Sequence, residues 1–294
     1  MTDHQPTEAS LYLRDLARKI AQPYIALPTI RAALVSGSSA EGVSDFNSDL
    51  DLILYYDEIP SEEALTAACA ANHGVKRSPI GPRSEDGAVE HYYVNGVECQ
   101  LAHQTVTAWE REIASVCEQL EVDSPAQKAL GGMKEVVPLY GEALIQQWQA
   151  TLDDYPDALA LALVKRYLTF YRVSSLYKRL ATRDATIWFN EIRVELAHDL
   201  IGVLAGLNHL YYTPFQFKRV RRFVAEMKST PPDFADRLEA LFHAEPFAAC
   251  AQLEALMDET VTLVEQQMPQ IDTAGVRARL AWNPPAWTPV PLGS

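Results

Sequence analysis

Hydrophobic and polar positions follow different periods in the two halves of this chain. Near the amino terminus, apolar residues recur at helical spacing, which predicts a helix over residues 8–21. Short apolar runs follow at residues 32–36 and 50–54, and their length is typical of buried strands. The start of the chain therefore predicts a helix followed by strands.

The next hundred residues continue this mixed pattern. Ser61 precedes two glutamates and an alanine-rich run, so it predicts an N-cap and a helix after it. Residues 76–87 are rich in Pro, Gly, Arg and Ser, which is typical of a loop. Asn95 and Gly96 then stand between two β-prone runs, and this dipeptide predicts a tight hairpin.

From Thr107 onward the apolar residues recur every three or four positions, as in helices. The clearest predicted helices are those around 161–171 and over 185–206, 214–228, 234–243 and 247–267. The tail from Trp282 has too many prolines for regular structure. The predicted fold class is α+β, with a small mixed β-sheet domain over residues 1–145 and an all-helical bundle domain over residues 146–294.

Charge and cysteine content narrow the possible partners. The 294 residues carry 39 acids against 25 bases, a formal net charge of −14, which argues against a nucleic-acid partner held by its phosphates. The four cysteines show no metal-ligand spacing and predict free thiols. No signal peptide or 18-residue apolar run is visible, so we expect a cytoplasmic protein without a membrane partner.

Two acids interrupt an otherwise apolar strand. Asp49 and Asp51 lie two residues apart, and alternation along a strand places both side chains on the same face. Neighbouring carboxylates repel each other unless a cation neutralises them, and Mg²⁺ is bound by one or two carboxylates together with substrate phosphates. The pair therefore predicts a magnesium site, although acids that protect an exposed sheet edge are the alternative interpretation.

A glycine and a serine precede this pair by about ten residues. Gly37 and Ser38 end one apolar run and begin the short segment SSAEG, whose backbone N–H groups are candidates to contact a phosphate. An apolar strand, Gly-Ser, a loop and then Asp-x-Asp in the next strand resemble the nucleotidyltransferase superfamily typified by DNA polymerase beta. The resemblance implies transfer of a nucleoside monophosphate from an NTP, taken here as ATP, to a hydroxyl group with the help of Mg²⁺.

Members of that superfamily carry a third acid on a neighbouring strand. The resemblance assigns this position to Glu98, as a metal ligand, a catalytic base or both, although many members have aspartate there. If Gln100 is the aligned residue instead, the activity is weakened or absent. Lys218, in FKRVRR on the predicted helix 214–228, is the basic candidate to contact the triphosphate.

The second half of the chain narrows the subgroup. GGMKEVVPLYGEALIQQW and LNHLYYTPFQFKRVRRF resemble the aminoglycoside and lincosamide nucleotidyltransferases, which implies a small-molecule acceptor. The acidic composition favours a cationic acceptor, and the resemblance implies that it is antibiotic-like. Two alternatives stay open, a transferase that nucleotidylates proteins and a nucleotide-binding module without activity.

Overall fold

The computed structural model describes residues 5–289, and the chain divides there into two compact units. The first unit comprises the residues up to Glu121 together with Pro125–Tyr155, and the second comprises Val122–Ser124 and the residues from Pro156 onward. The first unit combines a mixed sheet with helices, whereas the described residues of the second unit form helices without a strand. The predicted α+β class is confirmed.

The first unit is built on a six-stranded sheet in the order β3-β4-β5-β2-β1-β6. Its strands are β1 (Ile30–Ser36), β2 (Leu50–Tyr56), β3 (Val75–Pro79), β4 (Gly87–Val94), β5 (Val97–Thr105) and β6 (Val137–Tyr140). Its helices are α1 (Glu8–Ile20), α2 (Gln22–Ile25), α3 (Gly37–Glu41), α4 (Glu62–Ala71), α5 (Val106–Cys117), α6 (Ala126–Gly132) and α7 (Glu142–Asp153). The pair β2–β5 is parallel and the other strand pairs are antiparallel, so the sheet is mixed.

Local signals explain the elements that were predicted. The hydroxyl of Ser61 accepts a hydrogen bond from the backbone N–H of Ala64 at 3.2 Å, which caps α4 as predicted. Asn95 and Gly96 both adopt positive φ, 52° and 84°, and they join β4 to β5. Such a pair matches the type I′ turn that the sequence predicts at this position.

Both edge strands lie where strands were not predicted. β3 begins at Val75 and its other residues fall inside the predicted loop 76–87, and β6 follows Thr107, from which only helices were expected. The prediction was wrong at both because β3, with the sequence VKRSP, and the four-residue β6 lack the alternation that identifies a half-buried strand. Short and polar strands are common at sheet edges.

The first unit also extends beyond the predicted boundary at residue 145. Helix α7 belongs to it, and the Trp148 ring lies 4.7 Å from the Tyr55 ring of β2, centroid to centroid. Both side chains are almost wholly buried. Because this aromatic pair packs α7 against the sheet, the boundary between the two units lies after Tyr155 and not at residue 145.

The two faces of the sheet differ in what covers them. Alternate residues of β2, beginning with Leu50, are buried in a core with α1, α2 and α4. The opposite face carries Asp51 and Ile53, which are partly exposed, and then Tyr55, which is buried. The apolar run of β2 is therefore explained by one fully covered face, while the acid at its start lies on the other face.

A buried polar network stabilises the covered face. Glu90 is 3% exposed, forms an ion pair with Arg77, and lies 3.2 Å from His103 Nε2. Burial alone would raise the pKa of Glu90, but hydrogen bonds from His103 and Arg77 offset this and leave the pKa below its usual value. Glu90 is therefore ionised in the folded chain and depends on these partners.

Replacing Arg77 tests this dependence. We expect Arg77→Met to lower the free energy of unfolding by about 2–3 kcal/mol at neutral pH, because it leaves a buried carboxylate without its counter-ion. The pKa of Glu90 is lowered by folding, so its contribution is present above the unfolded pKa and is lost as pH falls through the folded pKa. Chemical denaturation at several pH values should show the difference from wild type shrinking in acid.

Arg31→Met is the matched control for this experiment. Arg31 lies 2.7 Å from Asp57 in an ion pair whose two side chains are about half exposed. Such surface pairs contribute about 0–1 kcal/mol. Equal losses in the two variants would contradict a special role for the buried pair.

The second unit consists of helices connected by loops. Its helices are α8 (Asp157–Tyr167), α9 (Val173–Leu180), α10 (Thr186–Leu207), α11 (Val220–Ala225), α12 (Phe234–Ala240), α13 (Pro246–Gln267) and α14 (Ala274–Ala281). The helix predicted over 214–228 is reduced to α11, because Gln216 and Arg219 adopt positive φ and interrupt it. Helices α9 and α14 were not predicted.

The remaining predictions concern the tail, the thiols and the membrane. Residues 282–289 lack regular structure, as predicted, and the part of the tail beyond them lies outside the described residues. Among residues 5–289, Cys69, Cys99, Cys117 and Cys250 form no disulfide bond. Among residues 5–289, no helix is both long enough and apolar enough to cross a membrane.

Candidate functional site

The paired acids lie at the start of an interior strand. Asp49 immediately precedes β2 and Asp51 is its second residue, while β2 itself pairs with β5 on one side and β1 on the other. Both side chains are partly exposed. The alternative interpretation as edge-protecting acids is therefore excluded, because β2 is not an edge strand.

The end of β1 brings the Gly-Ser turn against Asp51. Ser36 is the register partner of Asp51, and Gly37 follows with a φ of 62°. A Cβ atom added at Gly37 would lie 2.2 Å from the Oδ2 atom of Asp51, so the carboxylate would have to shift. Glycine is thus favoured here by its backbone conformation, and its lack of a side chain lets the carboxylate approach closely.

Helix α1 holds the short helix α3, which begins at Gly37. Arg14 donates from Nε to the carbonyl oxygen of Ser39 and from Nη2 to that of Ala40, both at 2.8 Å. The hydroxyl groups of Ser38 and Ser44 lie 2.9 Å apart, so the Ser38 side chain is fixed within the loop. The backbone around the Gly-Ser turn is therefore held by side chains from outside it.

The residue of β5 that directly contacts the acid pair is Gln100. It is the register partner of Asp51, and its Nε2 atom donates a hydrogen bond to Asp49 Oδ2 at 3.0 Å. The neutral side-chain amide of Gln100 therefore links β5 to Asp49. This is the residue that the sequence left as an alternative to Glu98.

Glu98 is held from the other side, by β4. Its Oε1 atom lies 3.0 Å from His91 Nδ1, and its Oε2 atom accepts a hydrogen bond from the Tyr93 hydroxyl at 3.1 Å. The hydrogen bond from His91 is the main cause that holds the pKa of Glu98 below its usual value, with Tyr93 and Gln100 adding to it. Glu98 is therefore an ionised, partly exposed carboxylate with two defined partners.

This arrangement predicts how the pKa of Glu98 responds to substitution. Replacing His91 with Phe removes the largest stabilising hydrogen bond, so the pKa of Glu98 should rise toward the usual value for glutamate. Tyr93→Phe should raise it less. Carboxyl-carbon NMR titration of the labelled protein would measure both. A pKa of Glu98 that stays unchanged in the His91 variant would contradict the hydrogen bond.

The predicted metal ligands are brought together only in part. The two aspartates share one face at the start of β2, and their oxygen donors suit a hard cation such as Mg²⁺. In the part of the chain that the structure describes, no three side chains of His, Cys, Asp or Glu are grouped so that they could hold a metal ion. A pair of carboxylates completed by substrate phosphates is the arrangement that the donors fit.

The predicted phosphate contact belongs to the second unit. Lys218 is exposed and lies in the loop before α11, not on a helix as predicted. Its assignment to the triphosphate stays a prediction.

Two functional candidates were not assigned a role from the sequence. His91 and Tyr93 became candidates only through the register of β4 and β5, whereas Gln100, already the alternative to Glu98, was placed beside Asp49 by the pairing of β5 with β2. The hairpin at Asn95-Gly96 was a usable signal for part of this, because it fixes Tyr93 opposite Glu98. The parallel pairing of β5 with β2 had no comparable signal.

Comparisons with known proteins add little to this geometry. No family model matches the chain, and no curated protein matches it. The chain is similar to the crystal structure of a nucleotidyltransferase-like protein from Exiguobacterium sibiricum 255-15, with 12% sequence identity and a TM-score of 0.37. The alignment covers 88% of this chain and 81% of that chain. At these values the likeness does not bear on activity, which has to be inferred from the residues themselves.

Proposed function

We propose that the chain is a nucleotidyltransferase that moves AMP from ATP to a hydroxyl group of a small molecule. One observation carries the proposal, the contact between Gly37 and the Asp51 carboxylate at the start of an interior strand that also begins with Asp49. A glycine at positive φ that lets a carboxylate approach closely, beside two acids that are not needed for the core, is the arrangement expected where a triphosphate meets a metal.

Asp49 and Asp51 would hold the Mg²⁺ ion. When bound there, Mg²⁺ neutralises triphosphate oxygens and offsets the repulsion between the two carboxylates. Gln100 keeps Asp49 in position through its amide hydrogen bond. The donors present fit this ion because both aspartates offer carboxylate oxygens on the partly exposed face of the sheet.

The transfer also requires a residue that takes up the proton of the acceptor hydroxyl. The acceptor oxygen attacks the α-phosphorus, the bond to the β-phosphate oxygen breaks, and pyrophosphate leaves. Glu98 is the candidate base for the hydroxyl proton, because it is a partly exposed carboxylate on the same face of β5 as Gln100, which contacts Asp49. The net charge of −14 favours a cationic acceptor.

Release of pyrophosphate tests the proposal. The full chain is incubated with Mg²⁺, ATP and a library of small hydroxyl compounds that includes cationic antibiotics, and pyrophosphate is measured. The proposal expects release that depends on one class of acceptor and on Mg²⁺. Labelled ATP added to a cell lysate separates the acceptor classes, because label on a protein band alone would favour nucleotidylation of proteins.

A second candidate function is supported by Gln100. A neutral amide, and not a third carboxylate, is the register partner of Asp51, while both oxygens of Glu98 are engaged by His91 and Tyr93. These contacts favour a module that binds nucleotide without transferring it. ATP binding in calorimetry, with no pyrophosphate release for any acceptor and no gain in the Gln100→Asp variant, would support this second function.

A further inference from the structure

The partly exposed face of the sheet continues beyond the acid pair with three apolar residues. Ile53 of β2 pairs with Ala102 of β5, two residues beyond the pair formed by Asp51 and Gln100. Val89 of β4 is in turn the register partner of Ala102. Ile53 and Ala102 are partly exposed, and Val89 is 37% exposed. These three residues form an apolar strip across three strands, and the chemistry proposed above does not use it.

Helix α5 brings a carboxylate to the far end of the apolar strip. Gln104 follows Ala102 on the same face of β5 and is the register partner of Tyr55. The helix packs over this end of the sheet, where the Trp109 ring lies 5.9 Å from the Tyr55 ring, centroid to centroid. Glu112 lies three residues after Trp109 and therefore on the same face of α5. Its carboxylate interacts with the side-chain amide of Gln104, so the strip ends at an amide and a carboxylate.

The carboxylate of Glu112 lacks a cationic partner. Among residues 5–289 it forms no ion pair within 4.0 Å, and its neighbour Arg111 is paired with Asp86 at 2.6 Å. Burial raises the pKa of Glu112, and the interactions with Gln104 and Arg111 offset this only in part. A partly buried carboxylate with so few donors would be stabilised by an N–H group of a ligand.

The apolar strip lies where a nucleotide held at the acid pair can extend. Asp51 and Tyr55 are four residues apart on β2, which corresponds to about 13 Å along the strand. This separation is comparable with the length of an extended nucleoside monophosphate. An α-phosphate bound at the acid pair therefore allows the nucleoside to cover the strip and its base to reach Gln104 and Glu112.

The acceptor would occupy the opposite end of β5. Glu98, the candidate base, precedes Gln100 on this face, whereas Ala102 and Gln104 follow it. An acceptor hydroxyl placed beside Glu98 therefore leaves the strip free for the nucleoside of the donor nucleotide.

The surface also matches the chemistry of a nucleobase, which has apolar faces and a polar edge. Ligand sites are typically apolar, with a few polar groups that fix the orientation of the ligand. Adenine carries an amino donor next to ring-nitrogen acceptors on its edge. The carboxylate of Glu112 can accept from the amino group, and the amide of Gln104 can donate to a ring nitrogen.

We propose that the adenine of ATP lies on the apolar strip and donates a hydrogen bond from its amino group to Glu112. The inference rests on the proposed function, because it starts from a nucleotide held at the acid pair. All of the residues involved belong to the first unit. The alternatives are that the acceptor covers the strip, or that Glu112 only fastens α5 to Gln104.

Three compounds test the inference by calorimetry on the full chain with Mg²⁺. ATP carries the whole base, purine riboside triphosphate lacks only the amino group, and tripolyphosphate lacks the nucleoside. ATP should bind about tenfold tighter than purine riboside triphosphate, and both should bind tighter than tripolyphosphate. Equal binding of the two nucleotides would overturn the inference and leave the proposed function intact. Failure of all three to bind would overturn the proposed function and the inference with it.

A substitution assigns the preference to Glu112. Glu112→Leu removes the acceptor of the amino group, so the variant should bind ATP and purine riboside triphosphate equally and tripolyphosphate as wild type does. Glu118→Leu is the matched control, because Glu118 is an exposed acid that directly follows α5. It should keep the tenfold preference. A tenfold preference that persists in Glu112→Leu would refute the role of this residue.

Nuclear Overhauser effects in the wild-type chain locate the base without any substitution. With saturating ATP and Mg²⁺, the ring protons of adenine should show contacts to the methyl groups of Ala102 and Ile53. Contacts of adenine to other methyl groups alone would overturn the inference, even if the proposed function holds, and would leave the strip to the acceptor.

Discussion

Replacing both Asp49 and Asp51 with Asn is expected to weaken Mg²⁺-dependent ATP binding and to reduce nucleotidyl transfer about a thousandfold or more. Asparagine keeps the size of each side chain but removes the negative charge that would hold the cation. Both side chains lie on the partly exposed face at the start of β2, so the core of the sheet is not disturbed. Calorimetry with ATP, with and without Mg²⁺, measures the binding.

The matched control for this variant is Asp15→Asn. Asp15 is an exposed residue of α1 whose contact is an ion pair with Arg18. The substitution removes one carboxylate from the same unit and leaves β2 unchanged. The variant should therefore bind ATP as wild type does. Circular dichroism should show unchanged folding in all variants. Undiminished Mg²⁺-dependent binding in the Asp49 and Asp51 variant would refute the site.

The second large effect is expected from Gly37→Ala. The new methyl group would lie 2.2 Å from Asp51 Oδ2, so the carboxylate must leave its position. We expect ATP binding to weaken about a hundredfold, as after loss of one member of the acid pair. The positive φ of 62° adds a backbone strain of about 1 kcal/mol. Binding is measured by calorimetry and stability by chemical denaturation.

Gly81→Ala separates backbone strain from the contact with Asp51. Gly81 has a φ of 80°, and an added Cβ meets nothing within 4 Å among the described residues. Both variants should therefore lose about 1 kcal/mol of stability from strain, whereas the Gly37 variant alone should lose ATP binding. Equal ATP binding by the two variants would show that the position of Asp51 is not important for the ligand.

Those parts of the site that depend on local pattern could be predicted from the sequence. Alternation along a strand places Asp49 and Asp51 on one face, and the order strand, Gly37, loop, strand brings the turn to the acids. The antiparallel pairing of Ser36 with Asp51 completes this contact. These relations involve neighbouring strands and a short connection, so little beyond the sequence is needed to infer them.

The roles of Glu98 and Gln100 could not be predicted in the same way. They lie on the same face of β5, and the parallel register against β2 decides which of them faces Asp51. That register joins strands about fifty residues apart in sequence, and a shift of two residues would exchange the two side chains. The hydrogen bond from Gln100 to Asp49 therefore had to come from the structure.

The errors in the fold have similar physical causes. Edge strands β3 and β6 bury little, so no alternation marks them. The boundary between the two units depends on a contact between Trp148 and Tyr55, and these two residues are distant in sequence. The predicted helix 214–228 is shortened by left-handed residues whose conformation no local pattern indicated.

A crystal structure of the chain with Mn²⁺ and a nonhydrolysable ATP analogue would show the metal site itself, because the anomalous signal of manganese locates the ion. We expect manganese bound by oxygens of Asp49 and Asp51, with the triphosphate against the backbone of Gly37 and Ser38. Manganese and nucleotide bound together elsewhere on the chain, with these aspartates in contact with neither, would contradict it.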